Sequence, residues 1–280
     1  MILPASSGFL FSNGLVRGAI RELAASGMHL VIDEIPPSSL ASSADAVPAL
    51  MGKLSVDGLL VMHNSLMAAA FRDAIDRHRI PAVLINGKSG MHSVYPDDLR
   101  GGRDVGSHLL NLGHRSIAYV SPQRKHTHYS VIDRRDGVAS VCDDANAEFR
   151  EVPLAQDTRV DIPGGIMPES MTLLRECLAS ADRPTAVVAY EAAEAMAVLG
   201  VAADLGLRVP DDLSLAMFHD NPLRPFGQLI TTCVIPVWVL GEVSARVLVD
   251  VIENNATKPV QQAVTCPLAE GETCAPIRTA

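Results

Sequence analysis

The chain has 280 residues, and its 23 basic and 32 acidic side chains give a net charge of −9. A chain of this length can bury a large core in one or two domains, whereas its acidic balance disfavours binding to duplex DNA, which depends largely on phosphate neutralisation. The five cysteines are scattered, the first residues lack the features of a signal peptide, and no apolar run is long enough to span a bilayer, so the sequence predicts a cytoplasmic protein with reduced thiols.

Short apolar segments alternate with amphipathic helices along the sequence. In the first half, the predicted strands cover residues 2–5, 29–33, 58–62 and 81–85, with a short strand near Val94. The predicted helices of this half cover residues 12–26, a segment around 44–53, 69–77 and 102–112. The helix at 12–26 illustrates the pattern, because four of its apolar residues fall on one face: Val16, Ala19, Ile20 and Leu23.

The second half repeats this alternation. Its predicted strands cover residues 117–120, a segment near 149–152, 185–189 and 213–218, and its predicted helices cover 131–147, 170–179 and 237–251. One further helix follows the strand at 185–189, and its apolar face consists of Ala195, Val198, Leu199 and Ala202. Gly206 is placed to end that helix in a left-handed conformation, and Pro210 begins a turn.

These patterns predict the fold class. Strands that are apolar throughout and that alternate with helices indicate parallel sheets covered on both faces. The length of the chain favours two such sheets over one. The sequence therefore predicts an α/β protein with two subdomains, each built on a doubly wound parallel sheet.

An ordered pattern of strand, helix, turn and strand occupies residues 183–235, where PTAVVAYEAAEAMAVLG is followed by LGLRVPDDLSLAMFHD. This pattern resembles the effector-binding core of the LacI/GalR transcription regulators. Four other segments carry the same resemblance: LVRG at 15–18, VDGLL at 56–60, HLLNLGHRSIA at 108–118 and DRRDG at 133–137. The resemblance therefore covers nearly the whole chain.

The resemblance implies the type I fold of periplasmic-binding-protein-like domains, in which the chain crosses three times between two subdomains. We place these crossings near residues 121–122, 231–235 and 254–258. The positions predict an N-terminal effector-binding subdomain of residues 1–121 and 235–254, and a C-terminal effector-binding subdomain of residues 122–234 and 255–280.

The resemblance also implies a ligand-responsive transcription regulator whose small-molecule effector, a sugar or another small metabolite, binds in the cleft between the subdomains. Regulators of this family form homodimers, and a helix such as 12–26 is expected to contribute to the dimer face. They bind operator DNA through a helix-turn-helix, which is expected to lie before Met1 and to be absent from this chain. The alternative function is that of a solute-binding protein of a sugar uptake system, which shares the fold but requires a secretory signal.

The resemblance places three ligand-binding residues. Arg134 lies three residues before Gly137, where the family has an arginine that reaches the ligand, and a guanidinium can hold paired hydroxyls or a carboxylate. Tyr190 stands where the family has an amide, and His219 stands where it has a carboxylate. These two departures make the expected pocket less negative, which favours an aromatic or anionic effector. A pocket that no longer binds any ligand tightly is the alternative interpretation.

Three weaker candidates complete the predicted ligand site. Phe9 and Phe11 lie in the loop before the first helix, where a phenylalanine either lines the pocket or closes the N-terminus of the helix. Asp98 lies with Arg100 in the loop before the Gly101-Gly102 pair. The six predicted ligand-binding residues are therefore Arg134, His219, Tyr190, Phe11, Phe9 and Asp98.

Motifs for catalysis, a cofactor or a metal are not found in the sequence. It contains no G-x-S-x-G, no H-E-x-x-H and no complete phosphate-binding loop. His126 and His128 have a spacing that suits a metal, but no third ligand is evident near them, so a solvated loop is favoured. We therefore expect no enzyme activity, no cofactor and no bound metal.

Overall fold

The structure, a computed structural model, describes residues 1–4, 13–35, 56–62, 69–123, 128–155, 166–254 and 258–277. The chain divides into two units. The first unit consists of Met1–Pro96 and Pro236–Val264, and the second unit consists of Asp97–Ile235 and Thr265–Ala280. Each unit contains one six-stranded sheet among the described residues.

The described residues form twelve strands and seven α-helices. The strands are β1 (Ile2–Pro4), β2 (Asp33–Ile35), β3 (Leu59–Val61), β4 (Ala82–Ile85), β5 (Ser93–Pro96), β6 (Ser116–Gln123), β7 (Glu148–Ala155), β8 (Ala186–Ala189), β9 (Ser214–His219), β10 (Thr231–Val234), β11 (Gln261–Val264) and β12 (Leu268–Ala269). The helices are α1 (Asn13–Ala25), α2 (Ala69–Arg77), α3 (Asp98–Asn111), α4 (Tyr129–Asp144), α5 (Pro168–Ala179), α6 (Ala192–Asp204) and α7 (Val237–Asn254).

Both sheets are parallel apart from one pair of strands. The sheet of the first unit has the order β11-β5-β4-β3-β1-β2, and all of its neighbouring strands are parallel. The sheet of the second unit has the order β12-β10-β9-β8-β6-β7, in which only β12 runs antiparallel to its neighbour β10. The predicted α/β class is confirmed, because buried parallel strands alternate with helices in each unit.

Two of the predicted crossings differ from the structure. The first crossing lies between Pro96 and Asp97 rather than near 121–122, because β6 pairs with β7 and β8 in the second sheet. The third crossing lies between Val264 and Thr265 rather than near 254–258, because β11 pairs with β5 in the first sheet. The second crossing lies between Ile235 and Pro236. The boundaries predicted for the two subdomains are corrected accordingly.

The bounds of the individual strands and helices differ less from the prediction than the crossings do. Helix α2 has the predicted bounds, and Gly206 follows α6 with a φ of +70°, the left-handed conformation that the sequence indicates. The strand predicted at 29–33 lies instead at Asp33–Ile35. The helix predicted around 44–53 lies outside the described residues.

The second unit packs helices on both faces of its sheet because its strands are apolar throughout. Alternate residues of β6 point to opposite sides: Ile117 and Tyr119 pack with α3 and α4, whereas Ala118 and Val120 pack with α5 and α6. All four side chains are almost fully buried. This double cover holds the strand ends, and the side chains that follow them, in fixed positions.

Helices α3 and α4 cross with their backbones in contact. A Cβ on Gly102 would meet the carbonyl of Arg134 and would lie 3.0 Å from the Cα of Gly137. A Cβ on Gly137 would likewise meet the carbonyl of Leu99 and would lie 2.8 Å from the Cα of Gly102. Only glycine fits at both positions, so the two motifs that contain these glycines serve helix packing.

In the first unit, α1 and α7 make a similar close approach. A Cβ on Gly18 would meet the carbonyl of Trp238, and a Cβ on Gly241 would meet the carbonyl of Leu15. Helix α1 buries Leu15, Ala19 and Leu23. None of the described helices combines the length and the apolar content that crossing a bilayer requires.

His114 joins three segments at the amino edge of the second sheet. Its Nδ1 lies 2.9 Å from Thr185 Oγ1, and its Nε2 lies 3.0 Å from Ser214 Oγ and 3.2 Å from the carbonyl oxygen of Ala275. A neutral ring protonated on Nε2 satisfies these contacts, since that nitrogen then donates to Ala275. Burial lowers the pKa of His114 below 6.5, the Ala275 carbonyl raises it in part, and nearby His108 lowers it further.

The glycine contact between α3 and α4 yields a prediction about stability. Gly137→Ala is expected to lower the free energy of unfolding by about 1–3 kcal/mol, the usual cost of forcing extra atoms into a packed site. Gly200→Ala is the matched control: it lies in α6, where an added Cβ meets nothing within 4 Å, and it is expected to stabilise by about 0.5–1 kcal/mol. Chemical denaturation followed by circular dichroism measures both, and equal effects of the two substitutions would contradict the helix contact.

The buried His114 predicts a pH dependence. Because its folded-state pKa lies below the unfolded value of 6.5, the unfolded chain takes up the proton first as pH falls, and the native state loses stability below 6.5. The loss between about pH 7.5 and about pH 5.5 is expected to be smaller for His114→Gln than for the wild type. Urea denaturation at several pH values measures it, with the exposed His29→Gln as control. Parallel curves for wild type and His114→Gln would refute the assignment.

Candidate functional site

The carboxyl edge of the second sheet brings several polar side chains together. Strands β6, β8 and β9 lie side by side in register, with Val120 opposite Ala189 and Ala189 opposite Met217. Tyr190 directly follows β8, and His219 is the last residue of β9. Parallel sheets bind small molecules at this edge, because the loops and helix N-termini converge there. The edge is therefore the candidate site of the second unit.

Arg134 lies in α4 and is almost completely buried, with 7% of its surface exposed. Its Nε donates to Asp98 Oδ1 at 2.6 Å, and its Nη1 donates to the carbonyl oxygen of Tyr190 at 3.0 Å. The central carbon of the guanidinium lies 4.6 Å from the ring centroids of both Tyr190 and Phe218. Arg134 thus ties the N-terminus of α3 to the end of β8 and lies close to two aromatic rings.

The surroundings of Arg134 stabilise its positive charge. Burial alone would lower the pKa of Arg134, but the carboxylate of Asp98 and the hydroxyls of Tyr190 and Tyr119 together raise that pKa above its ordinary value. Asp98 is fully buried, so the pair forms a desolvated salt bridge. Such a pair is stable only while both members are present, because a lone buried charge is very costly.

The hydroxyl of Tyr190 is hydrogen-bonded within the second unit. The hydroxyl lies 2.9 Å from Ser130 Oγ, and Ser130 Oγ lies 2.7 Å from His128 Nδ1. His128 is also the N-cap of α4, where its side chain accepts a bond from the Ser130 amide. Tyr190 thus contacts Ser130 through its hydroxyl and Arg134 through its backbone carbonyl. The sequence signal for Ser130 would have been its place in the first turn of a helix that carries a predicted ligand residue.

Tyr119 is a second residue that the sequence interpretation missed. It lies in β6 on the face that packs against α3 and α4 and is fully buried. Burial raises the pKa of its hydroxyl well above the usual range, while the nearby Arg134 lowers it. The hydroxyl has no hydrogen-bond partner among the described residues. A tyrosine inside an apolar strand carries no sequence signal that separates it from a core phenylalanine.

His219 is held by its neighbour rather than by the other predicted site residues. Its Nδ1 lies 2.7 Å from the Asp220 amide nitrogen and 2.7 Å from Asp220 Oδ1. The two side chains are 23% and 26% exposed, so they reach solvent at the strand end. No hydrogen bond or ion pair joins His219 to Arg134 or Tyr190 in the described part of the chain.

The structure therefore brings together three of the six predicted ligand-binding residues. Arg134, Tyr190 and Asp98 form one buried group, and His219 ends the adjacent strand with contacts of its own. Phe9 and Phe11 lie outside the described residues. Two nitrogens of the Arg134 guanidinium already donate within the unit, one to Asp98 and one to the Tyr190 carbonyl.

No metal or cofactor arrangement appears among the described residues. They contain no group of three or more histidine, cysteine or acidic side chains that could hold a metal ion. His128 serves as a helix cap, and His126 lies outside the described residues. The five cysteines are all described and all free.

The chain is similar to known proteins along most of its length. The sequence model of the family described as periplasmic binding protein-like domain matches residues 107–274. The HTH-type transcriptional repressor PurR of Erwinia tasmaniensis is 32% identical over 214 residues, which are 74% of this chain and 60% of that protein. The match therefore spans less than two thirds of the length of this curated relative.

Solved structures with the same fold match this chain over almost its whole length. Each match also covers almost the whole of the solved chain. A LacI family transcriptional regulator from Mycobacterium smegmatis is 25% identical with a TM-score of 0.75, and the match covers 99% of each chain. A LacI family transcriptional regulator from Enterococcus faecium, solved with bound ribose, is 21% identical with a TM-score of 0.74, covering 99% of this chain and 98% of that chain. At that identity the second match shows the fold alone.

Proposed function

The chain belongs to the family of periplasmic binding protein-like domains, and from this we propose that it is the effector-binding core of a transcription regulator of the LacI/GalR type. The resemblance to these regulators is confirmed by the PurR relative and by the LacI family structures. A core of this kind binds a small molecule and passes the resulting change to a DNA-binding part. It can do so only through a difference in affinity of the effector for two states of the protein.

The observation that carries the proposal is the polar group at the carboxyl edge of the second sheet. Arg134, Tyr190 and Asp98 are held there by buried contacts, with His219 at the next strand end. We place the effector against this edge. The effector belongs to the sugars or other small metabolites, and the ribose bound by the E. faecium regulator makes that sugar a sensible first probe.

The proposal includes the setting in which the protein works. A regulator of transcription acts in the cytoplasm, without catalysis and without a cofactor. Operator DNA is bound by a part of the protein outside these 280 residues, since the net charge of −9 disfavours contact with phosphates. The core forms a homodimer through the first unit, where several large apolar side chains are exposed: Ile20, Val31, Ile32, Trp238 and Val239.

The effector is expected to be detectable and to depend on Arg134. Native mass spectrometry of the purified protein tests whether a small molecule co-purifies. Arg134→Ala is expected to weaken binding by about 1.5–3 kcal/mol, the range for a hydrogen bond to a charged group. His219→Asp restores an acceptor at the strand end and is expected to move preference toward polyhydroxylated sugars. Calorimetry against a panel of sugars, including ribose, and of organic acids measures both.

The matched control for this experiment is Arg175→Ala. Arg175 forms an exposed salt bridge with Asp204 at 2.9 Å in the same unit, away from the strand ends. It removes the same kind of side chain and is expected to leave every affinity unchanged. The site assignment is wrong if Arg134→Ala and His219→Asp bind the panel as the wild type does.

The assembly prediction is that the 280-residue chain forms a dimer that does not bind duplex DNA. Sedimentation velocity at micromolar concentration, with and without a fluorescent duplex, tests both parts in one experiment. The expected result is a dimer that leaves the duplex in its free boundary at low and at moderate salt. A monomer of 29.8 kDa, or a salt-sensitive complex with the duplex, would overturn the corresponding part.

A further inference from the structure

Asp98 occupies a special position in the chain. The first crossing between the units lies between Pro96 and Asp97, so Asp98 is the second residue of the second unit and the first residue of α3. It is fully buried, and its carboxylate oxygen Oδ1 accepts a bond from Arg134 Nε at 2.6 Å. The salt bridge therefore fastens the chain where it enters the second unit.

The chain segments at the other two crossings also lie beside the first turn of α3. Cys233 is the third residue before the second crossing, and Cys266 is the second residue after the third. A Cβ on Gly101, in the first turn of α3, would lie 2.9 Å from the Sγ of Cys233 and 3.5 Å from the Cβ of Cys266. The first turn of α3 is thus packed against both of the other connecting segments.

Arg134 links this junction to the candidate effector site. Its Nη1 holds the carbonyl of Tyr190 at the end of β8, while its Nε holds Asp98. The remaining nitrogen, Nη2, has no partner in the described part of the chain, and the side chain keeps 9% of its surface exposed. Asp98 keeps no exposed side-chain surface, so a ligand acts on it only through a neighbour such as Arg134.

We propose that Asp98 is a positioning residue that acts through Arg134, and that this pair couples the effector site at the strand ends to the connecting segments of the second unit. The coupling to an effector rests on the proposed function; the mechanical link between Asp98, Arg134 and Tyr190 does not. An effector that contacts Arg134 changes how firmly the guanidinium holds Asp98, and hence how firmly the second unit holds the first connecting segment.

Hydrogen exchange of the ligand-free, full 280-residue protein tests the link. Two amides report it: Tyr190, which donates to the Val120 carbonyl at 2.9 Å, and Gly101, which donates to the Asp97 carbonyl at 2.9 Å. Asp98→Asn is expected to accelerate exchange at Tyr190, a residue that Asp98 does not bond, by about tenfold or more relative to the amides of β7. Arg134→Met is expected to accelerate both amides.

The double variant Asp98→Asn/Arg134→Met decides whether Asp98 acts through Arg134. It buries neither charge, so it is expected to fold even where a single variant does not. If Asp98 acts through Arg134, the double variant exchanges at Tyr190 at the same rate as Arg134→Met. Further acceleration in the double variant, or Tyr190 exchange in Asp98→Asn that changes no more than that of β7, would overturn the proposal.

Asp204→Asn is the control. It removes one charge from the exposed pair with Arg175 and is expected to leave both reporter amides unchanged. Acceleration at Tyr190 in this variant would show that any lost carboxylate loosens the unit, and would also overturn the proposal. Because no ligand is added, a failure to find an effector would contradict the proposed function and leave this result standing.

Discussion

The backbone contact between α3 and α4 is the constraint on which the second unit depends. Two helices this close cannot carry a Cβ at their crossing, and the sequence supplies Gly102 on one and Gly137 on the other. The contact brings the first turn of α3 beside the second turn of α4, so that Asp98 and Arg134 meet. If the helices stood further apart, both charges would remain buried without each other, which is the most costly arrangement for an ion pair.

Burial decides what Arg134 can do. Its charge is offset by Asp98, and the central carbon of its guanidinium lies 4.6 Å from the ring centroids of Tyr190 and Phe218. A flat guanidinium suits this position because it can stack and still donate in its own plane, whereas a lysine ammonium offers neither property. An arginine whose charge is already offset, and which donates two of its N–H groups within the unit, attracts distant anions only weakly.

The sequence predicted the individual strands and helices better than the crossings between the two units. Apolar strands and amphipathic helices have local signals, which is why α2 and the left-handed Gly206 were predicted correctly. The crossing at Pro96 was not predicted, because the sheet to which β6 belongs is decided by its pairing with β7 and β8, distant in sequence. Family motifs located Arg134 and Tyr190, but the partnership of Arg134 with Asp98 depends on a helix crossing that a linear motif does not encode.

The departures from the family pattern have unequal consequences at the strand ends. Tyr190 replaces an amide, yet its hydroxyl is engaged by Ser130 and its carbonyl by Arg134. The main contribution of Tyr190 to the proposed site is therefore the face of its ring. His219 replaces a carboxylate, but its Nδ1 faces Asp220, which returns a carboxylate to the same strand end. The ring nitrogen Nε2 of His219 has no partner in the described part of the chain. In the proposed site, His219 and Asp220 therefore lie at the same strand end, one able to donate and the other only to accept.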